Sequence, residues 1–121
     1  MTAREFDRLV EEAFARIPAR FRRRLRNVAM LVEREPPRGR GDLLGLYEGR
    51  PLTQRSVTDP FSMPDRITIF QGPHERLARD PAHLRRLVEE TVWHEVAHYF
   101  GLDERRVRAA ERRRRGITRG S

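Results

Sequence analysis

The chain contains neither cysteine nor lysine. Without cysteine it can form no disulfide, no thiolate zinc site and no cysteine nucleophile, so any metal it holds must rest on imidazole and carboxylate. Cysteine usage therefore says nothing about redox compartment. Without lysine, all 26 basic residues are arginine, a uniformity that looks more like codon bias than selection at phosphate contacts. Long apolar runs are missing as well. The first twenty residues, MTAREFDRLVEEAFARIPAR, carry charges throughout, unlike a signal peptide. No segment approaches the roughly 18 apolar residues that span a bilayer. The expectation is a soluble cytoplasmic protein. Length is limited too: 121 residues suffice for one domain with a small core.

Positive charge is abundant but concentrated at one end. The net charge is +8, of which residues 105–121, with eight arginines and one glutamate, contribute +7, leaving residues 1–104 at +1. The sequence therefore divides into a nearly neutral domain over residues 1–111 and an arginine-rich tail over 112–121, expected to be disordered. The tail's functional counterpart would be weak, sequence-independent binding of nucleic acid or another polyanion, because no aromatic platform or recognition helix accompanies it.

Apolar residues Phe6, Leu9, Val10, Ala13, Phe14 and Ile17 recur at steps of three and four, predicting an amphipathic helix over 3–17 that ends before Pro18. The run Val28–Val32 is short and apolar on both faces, as a central strand is. Residues 36–65 are rich in proline and glycine and read mostly as loop, with LLGLYEG (43–49) as an optional short strand. DRITIFQGP (65–73) is a second clear strand, stopped by its QGP. Asp80 as N-cap, Pro81 at the first helical position and Gly101 as C-terminal cap frame a helix of about twenty residues. A further basic helix is expected over about 103–115, with Asp103 as its N-cap.

The chemistry lies in HEVAHYFGLDE, residues 94–104. His94 and His98 differ by only about 40° around the helix and lie one turn apart, so both imidazoles can reach one ion. Glu95 lies about 60° beyond His98, near enough to address a water on that ion. This is the H-E-x-x-H arrangement, in which zinc lowers the pKa of a bound water toward about 7 and the glutamate takes its proton. Chance would place the pattern in about one such chain in a hundred. The opposing reading is two helix histidines satisfied by hydrogen bonds beside an incidental acid. Two ligands do not make a tight site, and Glu104 falls ten residues after His94, just past the glycine turn.

HEVAHYFGLDE resembles the extended zincin signature H-E-x-x-H-x-x-G-x-x-[H/D], with Glu104 where His or Asp would stand. The order RNVAMLVERE, LLGLYEG, RITIFQGP, ETVWHEVAHYFGLDE is similar to that of the small bacterial mini-zincins over about residues 5–110. The resemblance implies an α+β fold, a minimal zincin-like domain whose small mixed sheet packs against an N-terminal helix and the active-site helix. It also implies a zinc-dependent metallopeptidase: Zn2+ on His94, His98 and Glu104, Glu95 as general base, and a peptide or protein as substrate. In larger zincins a strand along the cleft binds extended peptide by adding it to the sheet edge, and the segment 66–71 is expected to take that place. The chain departs from the pattern in Glu104 itself and in having no methionine after the motif, so the supporting turn of metzincins is absent.

Alternatives stay open at several positions. The third ligand is Glu104, Asp103, water or another group. Glu104 also reads as a first-turn glutamate at a helix N-terminus. Tyr47 reads either as a donor to a developing oxyanion or as a packed tyrosine. His83 lies eleven residues, about 16 Å, up the helix from His94 and cannot share its ion. His74 is expected at the surface. Trp93, Val96, Ala97 and Phe100 are the predicted core face of the helix. A fold of this family does not by itself establish hydrolysis, so a non-catalytic peptide-binding module is the runner-up, followed by a nucleic-acid-associated protein acting through the tail.

Overall fold

The computed structural model describes residues 1–25, 27–49 and 64–101. Glu104, Asp103, the basic helix expected over 103–115 and the tail over 112–121 lie outside the described residues.

The first helix, α1 (Ala3–Ala15), starts because Thr2 and Glu5 satisfy each other's backbone: the Thr2 hydroxyl accepts from Glu5 N–H at 3.1 Å and the Glu5 carboxylate accepts from Thr2 N–H at 3.1 Å. It stops two residues short of the predicted end, ahead of Pro18, and Ile17 beyond it is still buried. A one-turn helix, α2 (Ala19–Arg22), leads into strand β1 (Val28–Glu33). Strand β2 (Gly45–Glu48) follows, then β3 (Asp65–Phe70), helix α3 (Gln71–Leu77) and the long helix α4 (Pro81–Tyr99). Asp80 caps α4, its carboxylate accepting from His83 N–H at 2.7 Å. At the other end Gly101 takes a φ of +73° and donates its N–H to His98 O at 2.9 Å, the left-handed close that glycine adopts without strain.

Among the described residues the strands form one mixed sheet in the order β1-β3-β2, with β1 parallel and β2 antiparallel to β3. This is the expected α+β architecture, a small mixed sheet packed with an N-terminal helix and the long helix α4. The strand order corrects one expectation. The 65–70 strand has no edge to offer, because its backbone pairs with β1 on one side and β2 on the other, and its Ile67 and Ile69 are fully buried in the core. Among the described residues the outer strands of the sheet are β1 and β2. Burial explains the order: a strand whose alternate residues are apolar and whose other face carries Thr68 and Phe70 is covered on both faces.

Helices α1 and α4 pack together against the sheet, and Phe6, Val10, Ile67, Ile69, Val88, Val92, Trp93 and Val96 form the core between them. Trp93, Val96 and Ala97 are buried as predicted, while Phe100 is half-buried against Phe21. Among the described residues no helix is long and apolar enough to cross a membrane.

Ile69→Val trims one methylene from a fully buried site and is expected to cost about 1 kcal/mol. Leu77→Ala, at a position 54% exposed, should stay within about 0.5 kcal/mol of the parent. Urea unfolding of the two variants beside the parent checks both.

Candidate metal centre

The last two turns of α4 carry His94, Glu95 and His98, whose potential ligand atoms all lie within 4.8 Å of one another. Among the described residues this is the one group of three or more histidines and carboxylates so close. The imidazole rings stand 4.5 Å apart between centroids at an interplanar angle of 70°. Two nitrogens on a tetrahedral zinc, at about 2.0–2.1 Å each, sit roughly 3.3 Å apart. The His98 side chain, 37% exposed, has the freedom to close that gap. Two neutral imidazoles and a carboxylate are also the nitrogen and oxygen donors zinc takes when no thiolate is present. The residues therefore fit such an ion.

Glu95 differs from the histidines in being buried, with 6% of the residue exposed. One carboxylate oxygen lies 3.3 Å from His98 Nδ1, and the carboxylate also accepts the backbone N–H of Tyr47. Burial holds its carboxyl above the usual carboxylate range, while His98, His94 and the Tyr47 N–H pull in the opposite direction. A carboxylate raised in this way is a better proton acceptor than one in water.

Strand β2 comes this close to α4 because residue 45 has no side chain. A Cβ there would meet Thr91 Cγ2 at 2.7 Å and Glu95 Cγ at 3.1 Å. The register then decides what the strand presents. Phe70 N–H donates to Leu44 O at 2.9 Å, which makes Leu44 and Phe70 a hydrogen-bonded pair. Gly45 and Tyr47, opposite Ile69 and Ile67, hold the non-bonded positions whose N–H and C=O groups point away from β3. One of these outward groups, Tyr47 N–H, is the donor to Glu95. Beside it a cavity of about 470 Å³ opens between β2 and α4, lined by Asp42, Leu44, Leu87, Glu90, Thr91 and His94 among others.

The sequence-predicted residues fare differently. His94, Glu95 and His98 come together. His83 is remote from them, its Nδ1 accepting Arg79 N–H at 3.0 Å. The Tyr47 hydroxyl donates to the buried Asp65 carboxylate at 2.5 Å, which favours the packed reading of this tyrosine.

His74 corrects the surface expectation, since it is fully buried. Residues 71–77 form α3 instead of a loop, because Pro73 falls in the first turn, where a missing N–H costs no hydrogen bond. The His74 ring lies between Phe70 O, 2.7 Å from Nδ1, and Thr91 Oγ1, 2.9 Å from Nε2, with Phe6 against its face. Nδ1 must donate, since a carbonyl only accepts. His74 thus ties α3 to the residue of α4 that touches Gly45. A glycine-proline pair reads as a breaker, and nothing periodic in QGPHERL signals the burial.

A model of the zincin-like metallopeptidases matches residues 25–114. Among solved structures the chain is similar to a conserved hypothetical protein from Thermus thermophilus, with 26% sequence identity and a TM-score of 0.55 over 83% of this chain and 94% of that one. No curated protein matches.

Burial lowers the His74 pKa below its ordinary 6.5, with the nearby Phe70 and Leu87 carbonyls opposing. A depressed histidine pKa means the unfolded chain binds the extra proton first, so stability rises with pH between the folded value and 6.5 and is lost below that window. Urea midpoints at pH 5.0 and 7.5 should therefore drop on acidification in the parent, and by a smaller amount in His74→Gln. Gly45→Ala forces β2 off α4 and is expected to cost roughly 1–3 kcal/mol, with loss of protection from exchange at the Tyr47 amide as its local signature.

Proposed function

Because this chain belongs to the zincin-like metallopeptidase family, we propose that it holds one zinc ion on His94 and His98 and hydrolyses peptide bonds with Glu95 as general base. The observation that carries this reading is the juxtaposition of two imidazoles and a buried carboxylate within 4.8 Å, at the mouth of a cavity bordered by the outer strand β2. When bound, zinc supplies a Lewis acid for the substrate carbonyl and a water whose pKa falls toward about 7.

The chain's own residues do the rest. Glu95 is held by Tyr47 N–H and by His98, so its position is fixed before substrate arrives, and its raised affinity for a proton suits it to deprotonate the attacking water. The same carboxyl then delivers that proton to the leaving amine. The outward N–H and C=O of Gly45 offer a first pair of bonds to an extended peptide lying antiparallel or parallel to the strand, Tyr47 N–H being engaged by Glu95. This role, expected for the 66–71 segment, falls to β2 because β3 is enclosed. The third protein ligand in this reading is Glu104, at the family's His or Asp position, with Asp103 as its alternative.

The test separates the roles. The parent should bind one zinc per chain, and His94→Ala with His98→Ala should bind almost none. Glu95→Gln should keep zinc while hydrolysis of a peptide library falls about 100-fold or more, the usual scale for losing a general base. Glu104→Ala should weaken zinc binding and Asp103→Ala should not. Zinc retained by the double histidine variant contradicts the metal site, and full hydrolysis by Glu95→Gln contradicts the base.

A further inference from the structure

We propose that the end of the molecule formed by α2 and the close of α4 binds the phosphate backbone of a nucleic acid, apart from the metal centre and without regard to base sequence. The chain sorts its charge more sharply than its net +8 suggests. Residues 13–32 hold six arginines and no carboxylate, and residues 105–121 contribute +7, while the remainder of the chain is net −5. A codon preference can make every basic residue an arginine, but it does not separate arginines from acids.

The fold brings the two basic segments to one end. The Phe21 ring packs edge-on against Trp93 and Phe100, at 5.3 and 5.6 Å between centroids, and the Tyr99 hydroxyl donates to Arg24 O at 3.4 Å. Aromatic packing therefore fixes α2 on the last turns of α4. The helix closes at Gly101, and residue 105 follows within at most about 14 Å of chain.

What α2 presents is not neutralised. Arg20, Arg22, Arg23 and Arg24 are exposed, and among the described residues none of them faces a carboxylate. Arg20 lies over the Phe21 ring at 5.0 Å and Arg22 Nε donates to Ile17 O at 2.8 Å, contacts that orient a guanidinium without cancelling its charge. Arg16, Arg34, Arg66 and Arg76, by contrast, each meet an acid. Four like charges within five residues repel one another, and the repulsion is relieved when an anion binds. Guanidinium donors match phosphate oxygens in pairs, and a nucleic-acid backbone supplies the several phosphates that such a cluster needs. A lipid surface fits less well. Among the described residues the exposed large apolar side chains are Met1, Leu31 and Leu77, so α2 has none to insert into it. With a single turn α2 is too short to read bases from a groove, and its contacts stop at the backbone. The metal centre stays open, because Trp93 and Phe100, which hold α2, lie roughly 130° around α4 from His94 and His98.

The experiment titrates the full chain into a mixed-sequence, fluorescein-labelled single-stranded oligonucleotide by anisotropy over a series of potassium chloride concentrations. Arg22 stays in place because it also caps Ile17 O. Arg20→Gln, Arg23→Gln and Arg24→Gln combined should weaken binding at least about tenfold at low salt and lower the slope of log K against log salt by about 2, three phosphate contacts at roughly 0.7 each. Arg38→Gln, Arg40→Gln and Arg85→Gln combined, at exposed arginines elsewhere, remove the same charge. They should keep the slope and change affinity by less than about threefold. Urea unfolding verifies that both triples fold, and Arg23→Gln alone, with a slope change of about 0.7, replaces the α2 triple if it does not. Equal losses in the two triples overturn the inference, since net charge alone then acts. So does parental affinity in the α2 triple, which would leave the C-terminal arginines as the whole site, or an absence of binding by the parent. Tighter binding to phosphatidylserine vesicles than to the oligonucleotide at equal phosphate overturns it in favour of a membrane.

Discussion

Strand β2 comes as close to α4 as it does because residue 45 has no side chain, and the candidate site is built around that contact. With Gly45 against Thr91 and Glu95, the next outward amide, that of Tyr47, reaches the Glu95 carboxylate. A buried carboxylate without donors would be costly; this one shares its burial with a strand amide and the His98 ring. The helix is held from behind as well, because His74 on α3 meets Thr91 one turn before His94. Outer strand β2, helix α4 and the short helix before it are therefore coupled through Thr91, which touches both neighbours.

Charge organisation complements this packing. Arg76 bridges Glu35 and Asp42, Arg34 faces Glu75 and Arg16 faces Glu89. These pairs are largely exposed, so each contributes little to stability. Their value is positional: Arg76 ties α3 to Glu35, just after β1, and to Asp42, just before β2. Among the described residues Arg16, Arg34, Arg66 and Arg76 thus each face a carboxylate.

Local signals make much of this legible in the sequence. Asp80 and Pro81 open α4 and Gly101 closes it, so the placement of His94, Glu95 and His98 on one helical face follows from chemistry within about twenty residues. The Val28–Val32 run and DRITIF declare strands for the same reason. What is not legible depends on long-range pairing. Nothing in DRITIF says that it has neighbours on both sides, and nothing in LLGLYEG says that its glycine abuts a helix some fifty residues away. His74 reads as a surface residue because a glycine-proline pair usually interrupts structure, whereas here the proline occupies a first turn where it is tolerated. Glu104 is named through resemblance and spacing, and local geometry at 94–98 neither requires it nor replaces it.

The central claim is that His94 and His98 share one ion. Anomalous diffraction at the zinc edge, from crystals grown with one equivalent of zinc, tests it most directly. The account predicts a single strong peak about 2.0–2.1 Å from one ring nitrogen of each histidine, with Glu95 close by but not required as a ligand. A crystal that contains zinc elsewhere while both rings stand free of it would contradict the account.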